Sequence, residues 1–409
     1  MNTATPFRWP DAWTDPAQLD LLKGTAIDFL LIAKQDALQP VVAQARKMGI
    51  ATAEPGAAPA GVLVVKGAWP GVQMGRGGGG GASSGPTGVP WVDSNGWNIR
   101  LHRTLQPQAA VWVNAAPPER AFITADSYLI AIADSASHGG RWMITLDAPL
   151  ALGLAAKKPE SLATWKKITA TAGFFAAHKD WTAYQSKAVV GVVSDFAGDN
   201  EFFSGELLNL MDRAGLQYRI LPKDKLTAAS FDGLRAISYT DAAPPSAELR
   251  KQILTFVQAG GLLIAAPKWG EVAGAPAAGS GRPGFAIKTV GKGRVALAAD
   301  DPTDPFSWAG DATVLVSHRY DLVRFWNGGA AGAFYTVSPD RKQALVHLLF
   351  YAARGPDSAT VRVAGSYRTA RASTVDNPRV ADVALQAQGD GVEVHLPPVS
   401  QYVALELEA

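Results

Sequence analysis

The chain has 409 residues, 47% of them hydrophobic, and its 38 Lys and Arg against 36 Asp and Glu leave a net charge of +2. At about 150 residues per domain this makes two or three domains, with enough apolar chain to bury ordinary cores. Near-neutral charge without basic runs excludes a dedicated nucleic-acid binder, and no segment approaches the roughly 18 consecutive apolar residues of a membrane helix. Cysteine is absent, which removes thiolate nucleophiles, thiolate zinc sites, iron–sulfur clusters and disulfides together. That absence fits a periplasmic or secreted protein, although cytosolic chains also lack cysteine. Met1–Pro10 shows no charged stretch followed by an apolar one.

Residues 1–185 repeat short apolar runs that end in a polar residue: Ile27–Ile32, Gly49–Glu54, Gly61–Lys66, Val89–Asp93, Ala110–Asn114 and Trp142–Asp147. Continuous apolar runs of this length read as buried parallel strands. From Ser161, the spacing of Leu162, Trp165, Ile168, Ala172 and Phe175 predicts a helix. Such alternation predicts a (β/α) barrel, shortened because an eight-fold barrel needs at least about 200 residues. The run Gly75–Gly85 interrupts it. Gly75, Gly77 and Gly80 satisfy G-x-G-x-x-G only as any glycine run does, and no apolar helix follows. The segment reads as a mobile loop after a strand, its functional version being a lid over a site.

From Ala188 the pattern changes. Strands are expected at Ala188–Ser194, Gln217–Leu221, Leu234–Tyr239 and Leu262–Ala266, with one helix around Gly205–Ala214. A second helix is expected from a Ser246 N-cap to Gly260-Gly261. Phe285–Val290 and Arg294–Ala298 flank Gly291-Lys292-Gly293 as a hairpin, and a last helix is expected near Lys342–Ala353. Strands alternating with helices give an open, doubly wound sheet. Beyond Pro356, the short strands Thr360–Val363, Arg368–Ser373, Ala381–Gln386, Gly391–Leu396 and Tyr402–Glu406 predict a small antiparallel β-sandwich. The expected division is a barrel over 1–185, a doubly wound α/β domain over 186–355 and a β domain over 356–409.

The middle segment carries Val192-Val193-Ser194-Asp195, Leu207-Leu208, Tyr218-Arg219-Ile220-Leu221, Gln258-Ala259-Gly260-Gly261-Leu262-Leu263-Ile264 and Gly291-Lys292-Gly293-Arg294-Val295. With these motifs, the order barrel, α/β domain and β cap resembles glycoside hydrolases of the family 42 β-galactosidase type. The resemblance implies a catalytic barrel, a flavodoxin- or amidotransferase-like middle domain and a homo-oligomer. A cysteine-free amidotransferase-like domain cannot hydrolyse glutamine through a thiolate, so that domain is structural, or contributes to an interface or a cleft wall. The Asn-Glu pair that the family places at the end of a barrel strand is missing from residues 1–185, where the only Asn-Glu of the chain, Asn200-Glu201, does not fall.

Barrel enzymes carry reactive residues at the C-terminal ends of their strands, here Glu54, Lys66, Asp93, Asn114 and Asp147. Glycoside cleavage needs two carboxyl groups, one protonated as acid and one ionised as nucleophile or base. Asp93, Glu54 and Asp147 are therefore the candidate catalytic residues, Asp93 foremost; helix caps and buried ion pairs are the structural alternative for each. The densest polar–aromatic cluster, Pro90–Arg103, contains Trp91, Asn95, Trp97, Arg100 and His102. Flat aromatic faces beside amides and Arg suit a sugar; a turn and an amphipathic helix start explain the same residues structurally. Together with Trp69 as an exposed platform and Asn114, these form the candidate substrate-binding set.

The six histidines lack H-x-H or H-x-x-x-H spacing, so no local metal motif is present and no cofactor is required. His138 reads as a helix end, and Ser317–Gly328 as packing between domains. The resulting reading is a carbohydrate-active protein, a glycoside hydrolase acting on an oligo- or polysaccharide. Two rivals stay open. One is a polysaccharide lyase on an acidic glycan, with His102 or Tyr128 as base and Arg100 stabilising charge. The other is a non-catalytic glycan-binding or assembly protein, which the missing Asn-Glu pair favours.

Overall fold

In the computed structural model of the chain, residues 4–76, 82–86, 92–117, 121–277, 281–326, 330–352, 355–376 and 381–409 are described. The N-terminal part is a shortened (β/α) barrel. Ile144–Thr145, Pro6–Arg8, Phe29–Leu31 and Ala51–Ala53 form one parallel ladder, and Val62–Lys66, Ala110–Asn114 and Arg141–Trp142 another. The run from Arg141 to Thr145 belongs to both, so the ladders turn around one axis. Among the described residues no ladder joins Ala51–Ala53 to Val62–Lys66; Ala53 and Val62 meet there on a shared apolar core.

Strand alternation sorts the barrel side chains. Phe29, Leu31, Trp112 and Met143 fill the interior, with the Phe29 and Trp112 rings 5.0 Å apart. Phe7, Leu30, Val65, Val113 and Trp142 face the surrounding helices instead. The predicted helix is Pro159–Ala177; Trp165, Ile168, Ala172 and Phe175 of its stripe are buried, and Leu162 is exposed. Two expectations fall wholly or partly outside the described residues. Residues 77–81 of the glycine run do, although Val72–Arg76 and Ala82–Pro86 on either side pair antiparallel. Most of the expected Val89–Asp93 strand does too, and its described end, Val92–Asp93, is not strand.

The middle sheet is doubly wound. Its parallel strands stand in the order Tyr218–Pro222, Val190–Ser194, Ala236–Tyr239, Leu262–Ala265 and Gly293–Ala298, followed by antiparallel Phe285–Val290 and Ala275–Pro276. Helices Glu201–Arg213 and Pro305–Val316 cover one face and Ala247–Gln258 the other. Ser246 caps the last of these by accepting the Leu249 N–H at 3.2 Å. At the hairpin turn Gly291 has φ +61°, and a Cβ there would lie 2.9 Å from the Gln258 backbone.

Two antiparallel sheets complete the fold. One runs Gln185–Ser186, Ala331–Val337, Gln343–Phe350, Tyr402–Glu408, Thr369–Thr374, Ala381–Asp382, and the other Val323–Phe325, Ala359–Ala364, Gly391–Leu396, Leu385–Gln388. The helix expected at Lys342–Ala353 is instead the central strand Gln343–Phe350. Leu345 and Leu349 pack toward the barrel helices, while Ala344, Val346, Leu348 and Phe350 pack into the sandwich. A strand apolar on both faces has no polar alternation to distinguish it from a buried helix.

Candidate functional site

The alternation that puts Phe29, Trp112 and Met143 inside the barrel also points Arg8, Leu31, Ala53, Lys66, Asn114 and Thr145 into its C-terminal mouth. Lys66 and Asn114 are register partners on adjacent strands. Their ends are held firmly: the Asn114 carbonyl accepts the Gly67 N–H at 2.9 Å, and the Lys66 carbonyl accepts Asn98 Nδ2 at 3.2 Å. Asn114 Oδ1 is buried without a hydrogen-bond partner among the described residues. Neither Arg8 nor Lys66 is ion-paired among them. The mouth thus offers two cations and an amide, groups that grip oxygen atoms and do not attack a glycosidic carbon.

The three candidate carboxylates have three separate sets of partners. Asp147 follows the last barrel strand and caps Ala148–Ala155: Oδ1 accepts the Leu150 N–H at 3.0 Å and Oδ2 accepts the Tyr128 hydroxyl at 3.0 Å. It is only 2% exposed, and burial raises its pKa. Asp93 is 61% exposed and pairs with Arg213 of the doubly wound domain. Glu54 is exposed just beyond Ala51–Ala53. Tyr128 is fully buried, and burial, followed by the charge of Asp147, holds its phenol well above the ordinary value. A general base requires the opposite.

Most of the expected sugar contacts turn out to hold the domains together. Trp69, expected as an exposed platform, is half-buried in the barrel wall, with its ring 5.1 Å from Tyr128 and 4.9 Å from Trp142. Its Nε1 donates to the Ala116 carbonyl at 3.2 Å. Asn95 is buried and exchanges hydrogen bonds with the Ala68 backbone, Nδ2 to O and N–H to Oδ1, each at 2.9 Å. Its own N–H and Nδ2 donate to Asp134 Oδ2 at 2.8 and 3.1 Å. Tyr351 completes this knot by donating to Asp134 Oδ1 at 2.8 Å. Arg100 is buried against the middle domain. It bonds Asp212 Oδ1 at 3.1 Å, donates to the Tyr218 carbonyl, and stacks 3.9 Å over the Tyr218 ring. Trp97 is half-buried, and a Cβ at Gly205 would come within 3.1 Å of its ring. His102 is half-buried, with burial lowering its pKa. Trp91 lies outside the described residues.

Val92–Arg103, the described part of that cluster, is therefore built around a joint, not a cleft. The helix Gly96–Leu105 and its N-cap Asn95 meet the barrel helix Ala125–Ser137 through Asp134, the middle domain through Asp212 and Tyr218, and the β-sandwich through Phe334, while Tyr351 bonds Asp134 itself. A Cβ on Gly96 would sit 2.5 Å from the His138 ring, so only glycine fits. His138 ends its helix as expected, its Nδ1 2.8 Å from the Asp134 carbonyl oxygen. Burial pushes Asp134 and Asp212 up to about 6 and His138 down to about 3. The adjoining cavity, lined by Ser94, His138, Asp212 and Tyr351, measures about 30 Å³, against the roughly 300 Å³ minimum of ligand pockets. Sequence reasoning missed Asp134; its signal was a lone carboxylate directly after the apolar run Leu129–Ala133.

At the carboxyl ends of the middle strands, Lys223 Nζ lies 2.6 Å from Asp195 Oδ2 and 2.7 Å from Asp241 Oδ2. Asn200 Nδ2 donates to Asp195 Oδ1 at 2.9 Å. Burial would lower the Lys223 ammonium, but hydrogen bonds to both carboxylates outweigh it and raise its pKa. Val190–Ser194 has the next strand on one side and Ala236–Tyr239 on the other, which is the switch point where open α/β sheets take ligands. Internal ion pairs fill that crevice here.

No family model matches the chain, and no curated protein matches it in sequence. Among solved structures it is similar to an α-L-fucosidase, isoenzyme 2, from Paenibacillus thiaminolyticus, with TM-score 0.52 and 11% identity over 96% of this chain and 79% of that one. It is also similar to a β-galactosidase from Bacillus circulans sp. alkalophilus (TM-score 0.45, 9% identity, 70% of this chain), of which it spans about half, 52%. A third is a β-galactosidase from Rahnella sp. R3 (TM-score 0.45, 11% identity, 77% of this chain and 58% of that one). The chain has a glycoside-hydrolase-like fold: shortened barrel, doubly wound domain and β-sandwich.

Proposed function

We propose that this is a carbohydrate-active protein that binds a glycan at the barrel mouth without cleaving it. One observation carries the reading: the inward strand ends are Arg8, Leu31, Ala53, Lys66, Asn114 and Thr145, with no carboxylate among them. Hydrolysis needs two carboxyl groups facing one sugar, about 5–5.5 Å apart for retention or about 6.5–9.5 Å for inversion. Asp147 has both oxygens engaged and Asp93 is tied to Arg213. Lys66 and Arg8 instead offer donors to sugar hydroxyls, beside the buried, unpartnered amide oxygen of Asn114. In this reading the chain descends from a family 42-type β-galactosidase architecture, and its amidotransferase-like middle domain is a scaffold.

A second reading, the hydrolase, is favoured by the raised pKa of Asp147, the property of a general acid. Calorimetry and product analysis on a panel of neutral and acidic oligosaccharides separate the two. Binding without new reducing ends or unsaturated products supports recognition, and Lys66→Ala with Asn114→Ala then weakens binding at least about tenfold. Reducing ends that disappear in a folded Asp147→Asn or Asp93→Asn variant establish the hydrolase instead. Unsaturated products establish the lyase.

A further inference from the structure

A cleft of about 600 Å³ separates the middle sheet from the β-sandwich, away from the barrel. That volume lies within the roughly 300–1,000 Å³ of small-ligand sites. Lys187, Arg219, Arg235, Arg319 and Arg341 stand on its walls against Asp232, Asp321 and Asp390. Two of the three carboxylates are already ion-paired, and the third, Asp232, lies in the field of Arg219. Asp321 pairs with Arg324 at 2.8 Å, and Asp390 pairs with Arg362. Among the described residues, Lys187, Arg235, Arg319 and Arg341 have no carboxylate partner. The cleft therefore carries surplus positive charge.

Two of those cations converge on one ring. The Arg235 and Arg319 guanidinium carbons lie 4.9 and 4.5 Å from the centroid of Tyr320, and Arg319 donates to its hydroxyl. That hydrogen bond, helped by the charges of Arg319, Arg235 and Arg294, holds the Tyr320 phenol below its ordinary value. Two guanidinium groups held against one ring, neither with a counter-carboxylate among the described residues, leave N–H donors for an oxyanion placed beside that ring. From the sandwich side, Lys187 Nζ reaches to 3.4 Å from the Tyr335 hydroxyl, which also bonds Tyr367. Tyr367 adds a ring on the cleft wall against which a sugar can lie.

We infer that this cleft binds an oxyanion-bearing saccharide, a uronate or a sulfated sugar, with Arg235 and Arg319 gripping the anion. The anion half rests on the cleft alone; the saccharide half rests on the proposed glycan-binding function. The test titrates the full chain with trigalacturonate, a neutral galactotriose and sodium sulfate, at low and high salt. The variant is Arg235→Gln with Arg319→Gln, both at exposed positions, and its fold is checked by melting. We expect trigalacturonate to bind the wild type, to weaken with salt, and to weaken at least about tenfold in the variant. Neutral galactotriose at the mouth stays unchanged by the variant and responds to Lys66→Ala, so failure at either site is seen separately. Equal affinity of wild type and variant for trigalacturonate, or no binding of any anion, overturns the inference. Sulfate binding as tightly as trigalacturonate overturns its saccharide half.

Discussion

At the carboxyl ends of Val190–Ser194 and Ala236–Tyr239, Lys223 bridges Asp195 and Asp241; at those of Val62–Lys66 and Ala110–Asn114, Lys66 and Asn114 Oδ1 are left without such partners. Both places are where parallel α/β folds usually take ligands. In the middle sheet the crevice is filled by the protein's own charges, with Asp241 fully buried on its side chain. In the barrel the strand ends project polar groups that the protein does not itself satisfy. A position at the end of a parallel strand is thus an opportunity for binding, and the partners of its side chain decide whether it becomes a site or a brace.

That comparison breaks most visibly at Lys223. Lys223→Met leaves Asp241 as an uncompensated buried charge, and the expected loss is about 3–5 kcal/mol in chemical denaturation; a loss below about 1 kcal/mol would mean the triad is not a brace. Next comes the joint. Asp134 and Asp212 titrate near 6 in the fold against 3.8 unperturbed, so between these values the folded chain holds protons that the unfolded chain has lost. Stability is then fully present below about pH 4 and falls as pH rises to about 6. The drop is on the order of a few kcal/mol. Asp134→Asn should flatten that slope, and an unaltered slope would contradict the buried-acid assignment. Arg100→Lys should still cost about 1–2 kcal/mol, because an ammonium cannot bond Asp212 and the Tyr218 carbonyl while stacking on the Tyr218 ring. The smallest effect is expected at Asp93→Asn: an exposed ion pair with Arg213 contributes about 1 kcal/mol or less, readable as a slight shift in melting temperature.

Elements with local signals were legible in the sequence. The Ser246 cap, the Gly291 turn and the apolar run Val190–Ser194 each state their structure within a few residues. Gln343–Phe350 was not, because its two faces pack on different cores and no period survives. The candidate site was legible only at its strand ends: Glu54, Asn114 and Asp147 do terminate barrel strands or follow them directly. What each does there was hidden, since the partner of Asp147 is Tyr128 on a separate helix. Asn95 and Arg100 looked like sugar ligands because polar and aromatic residues crowd a short stretch. Their partners Asp134, Asp212 and Tyr351 lie far along the chain, at positions that only the tertiary fold brings together.

The most direct measurement of the central claim is calorimetric titration of the full chain with an oligosaccharide panel, run alongside a reducing-end assay on the same samples. Recognition without cleavage predicts saturable binding that falls at least about tenfold in Lys66→Ala with Asn114→Ala, while no reducing ends accumulate. Steady release of reducing ends by the wild type, lost in Asp147→Asn, would contradict it.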